Sequence, residues 1–136
     1  RQRQMCIRDR SETGREISIT EVDIDSFIRA KGAIFSAINI MLSSLDMDVS
    51  VLEHVYVAGG IGSGINMENA VRIGMLPRAC LSKIRPLGNA ALAGASMLAL
   101  DGENWRKLAQ IPEKCRYLEL SGRDDFSRAF TDSLTF

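Results

Sequence analysis

The chain has 136 residues, 46% of them hydrophobic and 25% charged, with 17 basic and 17 acidic side chains. This is the make-up of one soluble globular domain or a piece of a larger one, and a compact core of that size buries roughly two-thirds of the surface of the unfolded chain. Zero net charge excludes a broad basic footprint for nucleic acid and argues against an acidic disordered tail. Arg1, Arg3, Arg8 and Arg10 against Asp9 leave 13 basic and 16 acidic groups over residues 11–136. The body is mildly acidic, and no nucleic-acid partner is expected.

The longest small and apolar stretch, Ala90 to Leu100, has eleven residues, short of the roughly 20 that span a bilayer. No membrane contact is expected. Residues 1–10 contain no apolar h-region of a signal peptide. Cys6, Cys80 and Cys115 are odd in number and far apart, which is neither a disulfide framework nor a zinc or iron–sulfur set. The expected compartment is a reducing cytoplasm, and no metal site is expected.

The first residue is Arg, and residues 1 to about 13 show neither helical nor strand periodicity. They read as a non-native tail, of the kind translated adapter sequence leaves, and the fold is read over residues 14–136 as a fragment.

From Ile17 the pattern is regular. Ile17-Ser18-Ile19 alternates as a short strand. Thr20 and Asp23 stand in capping-box positions. Ile24, Phe27, Ile28, Lys31, Ile34, Ile38, Met41, Leu42 and Leu45 then recur at helical spacing, predicting a helix over about 20–45 whose apolar stripe Lys31 interrupts. His54–Ala58 is a β-branched and aromatic run, predicted as a buried strand. Gly59–Gly64 follows as a glycine-rich loop, opening into a helix near Asn66–Ile73 with Asn66 as cap, Gly74 at its end and Pro77 beyond. Lys83–Leu87 is predicted as a short strand that Pro86 keeps near an edge. Helices are predicted over Ala90–Leu100, Asp101–Gln110 and Asp124–Leu134, with a strand at Arg116–Leu120. Strands alternating with helices predict an α/β fold with a mostly parallel sheet.

Val55–Ile73 carries the functional signal. Glycines between a buried strand and a helix admit positive φ and let backbone N–H groups approach a ligand, while the helix start favours phosphate. A tight strand-to-helix turn that only permits close packing explains the same residues. No Gly-Lys-Ser/Thr follows, so this is not a Walker A loop. Gly60-x-Gly62-x-Gly64 is not the dinucleotide spacing, and no ribose-binding acid closes the next strand.

Val55-Tyr56-Val57-Ala58-Gly59-Gly60 resembles the adenosine motif of the acetate and sugar kinase, heat-shock cognate and actin (ASKHA) superfamily. Further blocks narrow the resemblance: Ile28–Ile34, Val57–Gly62, Ile73–Pro77, Leu87–Ala95 and Tyr117–Ser121. In that order they resemble the C-terminal end of the reductive activators of corrinoid proteins, over about residues 16–136. The resemblance implies the C-terminal subdomain of an actin-like (ribonuclease H-like) ATPase domain. It implies ATP with Mg²⁺ as cofactor, and an electron that takes cob(II)alamin to cob(I)alamin from a ferredoxin-type iron–sulfur domain. The cluster's cysteines and the two Asp-bearing phosphate loops are not in this chain, so the fragment alone is not expected to hydrolyse ATP. The implied partner is a corrinoid protein or a corrinoid-dependent methyltransferase, and a homodimer is compatible with it.

The resemblance implies Gly59, Gly60 and Ile61 as nucleotide contacts. Lys31 reaches the nucleotide or else snorkels at the stripe's edge. Gly88 and Asn89 approach the ligand, or Asn89 merely caps a helix. His54 is the only histidine, which leaves no His-based triad. Asp23 and Asp25 fit helix-start electrostatics, and Trp105, Cys80 and Cys115 fit packing. Two other readings stand beside the activator: another ASKHA-type kinase or ATP-coupled activator, and a non-enzymatic interaction module.

Overall fold

The computed structural model describes residues 5–10, 14 and 16–135. The elements run β1 (Met5–Arg10), β2 (Glu16–Thr20), α1 (Glu21–Ser43), β3 (Val55–Ala58), α2 (Gly59–Gly64), α3 (Met67–Arg72), β4 (Ile84–Gly88), α4 (Ala90–Leu100), α5 (Glu103–Lys114) and α6 (Asp124–Asp132). Two 3₁₀ turns, Val49–Val51 and Arg78–Lys83, precede β3 and β4. The expected α/β architecture is present, mostly helical with a small parallel sheet. Although the opening residues lack periodicity, β1 pairs with β2 as an antiparallel ladder.

The capping box forms as the sequence predicts. Asp23 N donates to Thr20 Oγ1 at 3.3 Å, and Thr20 N donates to the Asp23 carboxylate at 2.9 Å. α1 buries Lys31, Gly32, Ser36 and Ile40, whereas Phe27 and Met41 lie exposed. Small residues decide which face closes. A Cβ on Gly32 would sit 3.3 Å from the Ser133 carbonyl oxygen and 3.6 Å from the Phe130 ring. Ser36 and Ser133 share a hydroxyl hydrogen bond at 3.1 Å, so the end of α6 packs directly on the α1 backbone.

β3 and β4 are parallel, pairing Val55 with Ile84, Tyr56 with Arg85, Val57 with Pro86 and Ala58 with Gly88. Pro86 has no N–H to give, which suits a strand with one free edge. One face of the pair rests on a core of Val71, Cys80 and Ile84, with Val49, Val55, Val57, Met67 and Leu76 packed around it. Burial pushes the Cys80 thiol pKa up, with Lys83 opposing more weakly.

Two predicted features differ. Gly59–Gly64 is a helix rather than a loop. Its shape comes from packing: a Cβ on Gly62 would lie 2.9 Å from the Val57 carbonyl oxygen, and the Ser63 hydroxyl donates back to the Gly59 and Gly60 carbonyls at 3.3 and 3.2 Å. Arg116–Leu120 alternates in sequence but forms no strand. Its polar groups close on themselves instead: Glu119 accepts from the Ser121 and Tyr117 hydroxyls and from Ser121 N. Those bonds, Ser121 first, hold the Glu119 carboxyl down to about 2. The 3₁₀ turn Arg78–Lys83 has no side-chain cap to announce it.

The expected extent of burial also differs. The chain exposes 10729 Å², against about 7,000 Å² for a compact domain of this mass. α4 is apolar along its length yet buries no residue, and Leu92, Met97 and Leu100 stand in the open. On the sheet face away from the core, Tyr56 is exposed. Parallel sheets are ordinarily covered on both faces.

Candidate functional site

The register of the parallel pair places Ala58 beside Gly88. Gly59 and Gly60 leave β3 where Gly88 and Asn89 leave β4, at the carboxyl edge, where open α/β sheets bind their ligands. Gly59 has φ +85° and Gly88 φ +61°, a left-handed backbone that favours glycine. Each makes the sharp exit from its strand.

The glycines divide by what surrounds them. A Cβ added at Gly59, Gly60 or Gly88 meets no atom within 4 Å. Nothing inside the chain requires Gly60 to lack a side chain, whereas the Val57 backbone requires it of Gly62. The edge is therefore an open cradle of main chain, accessible to a flat ring or a phosphate. The main chain of Ile61 belongs to the first turns of α2.

Asn89 is a helix cap: Leu92 N donates to its Oδ1 at 2.9 Å. Asn89→Ala is expected to lower stability by about 1 kcal/mol, read as a lower denaturation midpoint with an unchanged denaturant slope.

Lys31 is not at this edge. Its side chain is buried, and Nζ donates to the Thr135 carbonyl oxygen at 2.5 Å. A Cβ on Gly74, at the end of α3, would lie 3.6 Å from that nitrogen. The ammonium thus sits among the carbonyl ends of α3 and of the chain's tail, where helix dipoles favour a cation. It does not snorkel, and neither Gly59 nor Gly88 lines the cavity of about 640 Å³ that Lys31 lines. Lys31→Met is expected to cost about 1–3 kcal/mol, because the Thr135 carbonyl loses its donor. Thermal unfolding reads that loss, and ATP affinity should not move.

No three side chains among His, Cys, Asp and Glu converge on a metal position among the described residues. The side chains named at the carboxyl edge, Ser63 and Asn89, are polar and uncharged, an arrangement that can bind and orient a ligand.

The family model described as the C-terminal domain of RACo, the ASKHA domain, matches residues 1–136. The chain belongs to that family. Among solved structures, a reductive activator for corrinoid, iron–sulfur protein superposes with a TM-score of 0.82 at 35% identity, covering 91% of this chain and 20% of its own. The corrinoid activation enzyme RamQ of Eubacterium limosum is 29% identical over 123 residues, covering 90% of this chain and 21% of RamQ. The [Co(II) methylated amine-specific corrinoid protein] reductase of Methanosarcina barkeri is 28% identical over 125 residues, covering 90% of this chain and 23% of the reductase. The chain spans about one fifth of the length of these relatives. No helix among the described residues is long and apolar enough to cross a membrane.

Proposed function

We propose that this chain forms one wall of the ATP cleft of a reductive activator of corrinoid proteins. The observation that carries the reading is the carboxyl edge of β3 and β4, where the register sets Ala58 beside Gly88 and a Cβ added at Gly59, Gly60 or Gly88 meets no atom within 4 Å. The adenosine would rest on Gly59 and Gly60, with the main chain of Ile61 beside it. Gly88 and the start of α4 would close the second side. ATP, when bound, supplies the free energy that favours the electron-transferring state over the resting one.

No Mg²⁺ ligand is assigned to this chain. Nor does the reading place the iron–sulfur cluster here: the electron would come from a ferredoxin-type domain outside it. The uncovered faces of α4 and the β3–β4 pair fit a chain that works as one subdomain of a larger ASKHA domain. The reaction would be a one-electron reduction of cob(II)alamin to cob(I)alamin, held by a corrinoid protein or a corrinoid-dependent methyltransferase.

The test uses the full-length protein that carries this chain, a cob(II)alamin-loaded corrinoid protein and a one-electron reductant, followed by visible absorption. Cob(I)alamin should accumulate only when ATP is present. Nucleotide-independent reduction, or none with any corrinoid partner, would sink the reading.

A further inference from the structure

A cavity of about 640 Å³ opens between α1, the segment joining α3 to β4, and the tail of α6, and no residue of β3 or β4 lines it. That volume lies in the range of small-molecule pockets. Phe35, Val49, Val71 and Leu76 give it apolar walls. Arg72 and Arg78 line it too, and both also line an adjoining cavity of about 400 Å³. The two residues, with Val71, therefore form part of the partition between the cavities.

The charges around this partition are unevenly engaged. Neither Arg72 nor Arg78 has an ion-pair partner among the described residues. Lys31 Nζ is held by the Thr135 carbonyl. Asp48, on the first cavity's wall, already accepts from Ser50 N at 2.8 Å, and its bonds to Ser50 keep its pKa low. Asp132 lies at the end of α6 in the first cavity, and Glu68 lies in the second. Two planar, permanently charged forks beside an apolar wall suit a carboxylate or a phosphate carried on an apolar body.

We propose that this cavity binds a small organic oxyanion, whose charged group is held by Arg72 and Arg78 and whose apolar body lies against Val71 and Leu76. The site is separate from the glycine edge, since none of Gly59–Gly64, Gly88 or Asn89 lines it. It stands or falls independently of the nucleotide reading.

Fluorine NMR of the full-length protein tests it with three probes: a fluorinated phenyl phosphate, a fluorinated benzoate and the matching neutral benzyl alcohol. Both anions should bind, and the alcohol about tenfold more weakly. The tighter of the two anions shows which oxyanion the site prefers. The double variant Arg72→Gln, Arg78→Gln should weaken the anions at least about fivefold and leave the alcohol unchanged. Both arginines are exposed, so an unchanged Tm should accompany that loss. Saturating ATP should not displace the probes. Equal binding of the alcohol, unchanged affinity in the double variant, or displacement by ATP would each overturn the proposal.

Discussion

Gly60→Val is expected to lower the ATP affinity of the full-length protein by about tenfold or more, equivalent to about 1.4 kcal/mol, with little change in Tm. Gly60 is the informative position because its backbone is helical and lies outside the positive-φ set. Valine can adopt that conformation, and its Cβ meets no atom of the chain within 4 Å. Any loss then reports what approaches from outside. Gly59 cannot serve the same purpose: at φ +85° every side chain there is strained before a ligand arrives. Calorimetry with MgATP reads the result. An unchanged dissociation constant would remove Gly60 from the nucleotide contact and leave the glycine pair as a strand exit only.

How much of this was legible in the sequence follows from what each element depends on. The α1 capping box, the β3 run and the Asn66 and Asn89 caps are local signals, and each forms where the residues place it. Periodicity also gave α1, but not the face it buries. That face is chosen by Gly32 and Ser36, whose small side chains admit the end of α6, and a partner 97 residues away leaves no trace in local spacing. The surroundings of Lys31 are hidden for the same reason: its buried ammonium donates to Thr135, at the other end of the chain. Arg116–Leu120 shows the converse, since alternation without a neighbouring strand makes no sheet.

The candidate site was half legible. Gly59-Gly60 stands out as a motif, and Gly88-Asn89 stands out as a turn before a helix. That the two meet depends on the parallel register, Ala58 beside Gly88, which neither segment encodes alone. The family resemblance supplied the connection that local chemistry lacked. The cavity at Arg72 and Arg78 had no signal at all, because its walls come from α1, the α3–β4 segment and the chain's tail.

Gly62→Val should behave in the opposite way to Gly60→Val. Its Cβ would lie 2.9 Å from the Val57 carbonyl oxygen and 3.0 Å from Val57 Cγ1, closer than packed atoms tolerate. Overpacking of this kind costs about 1–3 kcal/mol, a Tm lower by roughly 4–12 °C for a chain of this size. Removing the Val57 side chain should not restore it, because the nearest atom is backbone: the pair Gly62→Val, Val57→Ala should remain well below wild type. Full recovery in that pair would mean that side-chain crowding alone excludes a larger residue at Gly62. Together the two glycines separate the roles that the sequence left merged. Loss of affinity at constant Tm belongs to the open cradle at Gly60, and loss of Tm belongs to the contact between α2 and β3 at Gly62. If Gly62→Val is tolerated, close packing does not explain the α2 glycines, and the helix would need another cause.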